Sequence, residues 1–165
     1  MEITVVQGDI TEQQVDAVVN AANNRMRGGG GVDGAIHRAG GPEVMDDCKR
    51  RFPNGLATGD AGWTTAGRMP ARWVIHVVGP NHSIGQTDRS LLTSCYARAL
   101  EVADELGART VAFPLVSAGV YGWPKDDAVA AAVETLRAAE TEVEEARMVA
   151  FDGSTYELIR AALEG

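Results

Sequence analysis

The stretch NAANNRMRGGGGVDGAIH, residues 20–37, decides how the rest of the chain is read. It sets three asparagines, four consecutive glycines, one carboxylate and one histidine between an apolar run on its N-terminal side and a helical pattern on the other. Glycine gives up more backbone entropy on folding than any other residue, about 0.5–1 kcal/mol relative to Ala. A run from Gly28 to Gly31 therefore points to a requirement for bare backbone, such as close approach to an anion by N–H groups leading into a helix N-terminus. Asp33 then stands as a negative charge inside an anion site, and the remainder of the chain has to account for it.

Outward from that stretch, strands and helices alternate. Residues 2–7 (EITVVQ) are β-branched and end at the turn signal Gly8-Asp9; residues 16–19 (DAVV) lead directly into Asn20. Beyond the glycines, residues 32–39 make two helical turns before Gly40-Gly41, and Pro42 suits the first turn of a further helix with Val44, Met45 and Cys48 on one face. Residues 59–65 and 73–78 read as strands. Asp88 caps a long helix running to Leu106, with Gly107 at its C-terminal stop.

Residues 110–114 (TVAFP) form a strand running into a second glycine-bearing loop, SAGVYG at 117–122, after which Pro124 opens another helix. A last strand over 147–151 precedes Ser154-x-x-Glu157, which predicts a capping box for the closing helix. This alternation implies one α/β domain spanning 1–165, with helices on both faces of a sheet that is mixed because the connection between residues 20 and 73 is irregular. Asp9, the Asn23–Asp33 loop, Ser117–Gly122 and Phe151 each follow a strand, so one sheet edge gathers them.

Composition narrows the function. Fifteen basic against twenty-three acidic residues give a formal charge of −8, which opposes broad binding of nucleic-acid backbone, so any phosphate must be held locally. No apolar run is long enough for a membrane span and no secretory leader is evident, which predicts a cytoplasmic protein. Cys48 and Cys95 fall on apolar helical stripes and read as buried hydrophobes. His37, His76 and His82 show no metal-ligand spacing with them; no metal and no cofactor is expected, and His76 reads as a core histidine.

Gly29-x-Gly31-x-x-Gly34 matches the dinucleotide fingerprint formally but lacks the acidic residue ending a following strand. The P-loop Lys-Ser/Thr pair is absent, and the neighbours of Ser117 make no nucleophile elbow. Asp9 is either a turn former or an acceptor for an exocyclic amine such as adenine N6. Phe151 is either core or a stacking platform for a base.

Together, GDIT at 8–11, DAVVNAAN at 16–23, GGGGVDGAIHRAGG at 28–41, TGDA at 58–61, IHVVGP at 75–80 and SAGVYGWP at 117–124 resemble a MacroD-type macrodomain over essentially the whole chain. The resemblance implies a three-layer α/β/α sandwich with a mixed six-stranded sheet that binds ADP-ribose. It further implies removal of ADP-ribose from modified acidic side chains, with some members deacetylating O-acetyl-ADP-ribose. Carried over, it places Asp9 and the Ile10 amide at adenine, Asn23 at the distal ribose, and Asp33 beside the carbon to be cleaved.

Gly31 and Val32 would then face the ligand from the glycine loop. Ser117, Ala118, Gly119, Val120 and Tyr121 would wrap the diphosphate, and Phe151 would meet adenine. Ala118 and Trp123 depart from the family's familiar Thr and Phe without removing a catalytic group. Asp33 and Asn23 are thus the expected catalytic pair, and mono-ADP-ribosylated proteins the expected partners. A non-catalytic reader of ADP-ribose and a hydrolase acting on ADP-ribosylated nucleic acid are the alternatives, and His37 either supports Asp33 or merely packs.

Overall fold

In the computed structural model, which describes residues 1–165, β-branched and apolar segments pair into six strands: β1 (Glu2–Gln7), β2 (Ala17–Ala22), β3 (Ala61–Thr65), β4 (Trp73–Val78), β5 (Thr110–Phe113) and β6 (Glu145–Ala150). Five helices connect them: α1 (Gly31–Gly40), α2 (Pro42–Arg51), α3 (Arg89–Leu106), α4 (Lys125–Ala138) and α5 (Gly153–Glu164). The sheet runs β1-β6-β5-β2-β4-β3, parallel throughout except for β3, which is antiparallel to β4 at the edge. The sheet is therefore mixed, as the irregular connection before Trp73 predicts.

The side-chain period of two divides the strands between two layers. Val19, Ile75, Val111 and Met148 point to one face and join Leu92, Tyr96, Val129, Leu136 and Ile159 from α3, α4 and α5 in the main core. Val18, Val74, Ala112 and Val149 point to the other face and pack with Ile36 of α1, while Ala22 and Val78 pack with Val44 and Cys48 of α2. Both cysteines are buried and unpaired. No helix is long and apolar enough to cross a membrane.

Several element boundaries differ from the sequence expectation. β2 continues three residues past Val19, so Asn20 lies inside the strand, paired in register with His76 of β4. The third strand begins at Ala61 because Thr58-Gly59 form a turn closed by Asp60 N–H to Ala57 O at 3.1 Å. The last strand ends at Ala150, leaving Phe151 outside it and 91% exposed, which removes the core alternative for that ring.

The Ser154 capping box does not form. The carboxylate of Asp152 accepts from Thr155 N at 2.8 Å and Ser154 Oγ at 3.0 Å, so it caps α5 two residues earlier. An ionised acceptor at a helix N-terminus gains from the dipole as well as the hydrogen bond, and so outcompetes the hydroxyl. The Asp88 cap and the Gly107 stop of α3 stand as the sequence implies.

Candidate functional site

Because β1, β2, β4, β5 and β6 are parallel, their C-terminal ends share one edge, and the segments carrying Asp9, Asn23–Asp33 and Ser117–Gly122 all leave from it, as does Phe151. Each segment has a local reason for its shape. Asp9 Oδ1 accepts from Thr11 N at 2.9 Å and Thr11 Oγ1 at 2.7 Å, which closes a short turn over Ile10–Glu12 and leaves the second carboxylate oxygen unengaged. Ile10 is buried, so the turn is anchored by its side chain.

Met26 anchors the loop after β2. Its backbone is left-handed at φ 59° and its side chain is buried beside Val44 and Cys48. Asn23 Nδ2 donates to Gly28 O at 3.1 Å and its Oδ1 accepts from Arg25 N at 3.1 Å, so the asparagine shapes the loop that it also edges. None of the N–H groups from Gly28 to Asp33 has an acceptor within the protein. A Cβ added at Gly30 would meet nothing within 4 Å, whereas one at Gly34 would lie 2.7 Å from Gly29 O. Gly34 is thus required by packing, and Gly30 is not; its smallness serves whatever lies outside.

The loop after β5 makes the same point by different means. Its carbonyls turn inward: Ser117 O accepts from Trp123 N, Gly119 O from Gly122 N, Tyr121 O from Ser83 N, and Val120 O from Ser83 Oγ. None of the five N–H groups from Ser117 to Tyr121 donates to the protein. Ser117 is held at φ 65°, unusual for a residue with a Cβ, and its Oγ donates to Pro80 O at 2.8 Å. That hydroxyl is therefore a structural tie and no nucleophile. Trp123 is buried under the loop with Nε1 donating to Asp127 at 2.9 Å, so its departure from the familiar Phe is absorbed below the loop.

Two sets of free amides on one sheet edge, one of them at the N-terminus of α1, form a surface suited to a polyanion such as a diphosphate. Val120 and Phe151 stand beside it at 93% and 91% exposure, apolar groups that a nucleoside could cover.

Asp33 lies in the first turn of α1, yet its side chain is buried and faces the sheet. Oδ1 accepts from Asn20 Nδ2 at 2.8 Å and lies 3.4 Å from His37 Nε2. Oδ2 faces the glycine loop: a Cβ built on Gly29 would lie 3.2 Å from it and 3.4 Å from Asn23 Nδ2. Burial works to raise the Asp33 carboxyl, but the hydrogen bonds from His37 and Asn20 outweigh it and hold the group below the ordinary carboxylate value. Asp33 is consequently an ionised base at neutral pH. His37, whose role the sequence leaves open, is here a partner of the carboxylate.

Sequence reasoning missed Asn20 as a partner of Asp33 and missed its link to His76. Asn20 Nδ2 also lies 3.1 Å from His76 Nδ1, and His76 Nε2 lies 2.8 Å from Thr64 Oγ1. The one available signal was the shared register of two polar residues in apolar strands, invisible until the pairing of β2 with β4 is known. A shallow depression between α2 and the β3–β4 edge, where Arg51 stacks on Trp63 at 3.7 Å, lies apart from this site. Its Asp47 is already engaged by Arg50, Arg51 and Thr65 N.

Known proteins resemble the chain in both sequence and fold. The family described as Macro domain matches residues 19–132. A Macro domain-containing protein of Streptomyces coelicolor is 56% identical over 165 residues, covering 98% of each chain. An O-acetyl-ADP-ribose deacetylase of Pantoea vagans is 45% identical, covering 95% of each. Among solved structures, an Oceanobacillus iheyensis macrodomain with ADP superposes with a TM-score of 0.92 at 37% identity, covering 97% of this chain and 88% of that one. A Trypanosoma brucei macrodomain in complex with ADP-ribose gives 0.89 at 37%, covering 98% and 69%.

Proposed function

The chain belongs to the Macro domain family, and from that premise we propose that it binds ADP-ribose and hydrolyses mono-ADP-ribose from ester-linked Asp and Glu side chains of modified proteins. The observation that carries this reading is Asp33: a buried, ionised carboxylate with one oxygen clamped and the other turned toward Asn23, behind a row of backbone amides from Gly28 to Asp33 with no acceptor in the protein. A binding module needs the amides and not the carboxylate.

In the reaction, the diphosphate lies against the amides of Gly28–Asp33 and Ser117–Tyr121, adenine between Asp9 with the Ile10 amide and Phe151, and the distal ribose at Asn23 and Tyr121. Gly31 and Val32 line the turn into α1. Asp33 Oδ2 accepts a proton from water as the water oxygen bonds to the distal-ribose C1″. The C1″–O bond to the modified residue breaks, and its electron pair leaves on the carboxylate. Glycosidases commonly set a second carboxylic acid at the leaving oxygen. No second carboxylate pairs with Asp33 here.

That asymmetry selects the leaving group. A carboxylate, with a parent acid of pKa about 4, departs without a proton, whereas a guanidine, above about 12, requires one. The relatives from Pantoea vagans named O-acetyl-ADP-ribose deacetylase favour a second reaction of the same site, in which water adds to the acetyl carbon and the ribose hydroxyl leaves.

The test is release of free ADP-ribose from carboxylate-linked, arginine-linked and nucleic-acid-linked substrates at equal concentration. Turnover of the first with little of the second is expected. Equal turnover of the arginine linkage defeats the leaving-group argument, and tight ADP-ribose binding with no turnover of any substrate returns the protein to a reader.

A further inference from the structure

Between the two apolar clusters on the α1–α2 side of the sheet runs a polar seam, Asp33, Asn20, His76 and Thr64, each buried. Its members come from four separate elements, α1, β2, β4 and β3. The donors and acceptors fit one assignment only. An ionised carboxylate accepts and cannot donate, so the Asn20 NH2 faces Asp33 Oδ1. The same NH2 reaches His76 Nδ1, which therefore accepts, leaving the proton on Nε2 to be donated to Thr64 Oγ1. The Thr64 hydroxyl donates onward to Thr65 O at 3.0 Å.

Asn20 Oδ1 is left buried with no partner. A buried acceptor without a donor is penalised, and a core position between Val18 and Ala22 on one strand face would be filled more simply by an aliphatic residue. The amide tolerates that orphan because turning it over would set oxygen against the carboxylate. Its orientation serves Asp33.

We propose that Asn20 is a positioning residue for the hydrolytic reaction: from the middle of β2, with His76 and Thr64 behind it, it clamps Oδ1 of Asp33 so that Oδ2 alone faces Asn23 and the reacting centre. The proposal rests on Asp33 being the base. Asn20 touches no ligand group; it acts through the carboxylate. The groups that face Asp33 are His37 from its own helix and Asn20 from β2, with His76 from β4 and the Cys48 thiol from α2 one layer behind. Burial pushes that thiol up to about 11 and His76 down to about 3, so neither changes charge across the neutral range.

The discriminating variant is Asn20→Asp, which keeps the shape and replaces the donor by an acid. Two carboxyl groups sharing one site cannot both ionise readily, and the first ionisation of the pair is followed by a raised second. ADP-ribose release from a carboxylate-linked substrate is measured from pH 4.5 to 9, with ADP-ribose affinity by calorimetry and Asp33→Ala alongside. Asn20→Asp should lose at least tenfold in kcat at pH 7, move the acid limb of kcat upward by a unit or more, and keep ADP-ribose affinity within threefold.

His76→Leu removes the acceptor behind Asn20 and should lower kcat at least threefold, while His76→Asn, which keeps an acceptor near the Nδ1 position, should recover half or more of that loss. Circular dichroism reports whether each variant is folded, and the His76 pair decides the matter if Asn20→Asp is not. Loss of activity in Asp33→Ala together with a wild-type kcat and pH profile in Asn20→Asp, or equal wild-type kcat in both His76 variants, overturns the positioning role alone. Wild-type turnover in Asp33→Ala overturns the base assignment, and the positioning role with it.

Discussion

The two glycine loops resemble each other on the side that faces outward and differ on the side that faces in. Gly28–Asp33 and Ser117–Tyr121 both leave parallel strands at the same sheet edge and both present a row of unpaired N–H groups. Behind Ser117–Tyr121 the inward contacts are backbone carbonyls, a serine tie to Pro80 and the buried Trp123. Behind Gly28–Asp33 lies a carboxylate backed by Asn20, His37, His76 and Thr64. No buried carboxylate lies behind the second loop. Under the proposed function, outward-facing backbone gives grip and the chemistry comes from what is buried behind it.

The largest effect belongs to Asp33→Ala. Loss of a general base lowers a rate by about 10²–10⁴-fold, so kcat should fall by at least a hundredfold while ADP-ribose affinity, measured calorimetrically, changes less than threefold. A fall in affinity with kcat intact would make the two loops alike.

Gly119→Val should do the reverse. A Cβ there meets nothing within 4 Å and φ is not left-handed, so the fold accommodates it and only a ligand feels it. If overpacking against the diphosphate matches overpacking in a core, about 1–3 kcal/mol is lost, or roughly 5- to 150-fold in affinity. Retained affinity would free this loop of any contact with the ligand.

The buried seam also makes the first loop's support sensitive to acid. His76 is held near 3 by burial against an ordinary 6.5, so below about 6.5 the unfolded chain takes up a proton that the folded protein refuses. Stability should therefore fall steadily as pH drops from about 6.5 toward 3. Asp33, held below its ordinary value, adds a further loss once pH drops through the carboxylate range. Chemical denaturation at pH 7, 6 and 5 checks the slope, which should flatten between pH 6.5 and 5 in His76→Asn. An unchanged slope in that variant removes His76 as its source.

Phe151→Ala should have the smallest effect, a loss of about 1 kcal/mol in ADP-ribose binding, near the lower end for ring stacking because the ring is 91% exposed. Calorimetry resolves that fivefold change.

The alternation of strands with helices, the shared strand edge and the helix caps at Asp88 and Gly107 were legible because they rest on local pattern: β-branched runs, a capping carboxylate, a terminal glycine. So was the presence of a lone acid among glycines, which is conspicuous, though the groups that hold it were not. The cap of α5 was misread because Ser-x-x-Glu is a local rule that the ionised neighbour Asp152 overrides. Asn20 was read as lying just past a strand that ends at Val19, whereas it lies in the middle of one. Its partnership with His76 is made by register across two strands more than fifty residues apart, and no local periodicity carries that information.

The central claim is that water activated at Asp33 attacks the distal-ribose C1″. Single-turnover cleavage of a glutamate-linked substrate in ¹⁸O-labelled water, quenched before anomeric exchange and read by mass spectrometry, tests it directly. Label in the released ADP-ribose with none in the glutamate carboxylate is predicted; label in the carboxylate would place the attack at the ester carbonyl and contradict it.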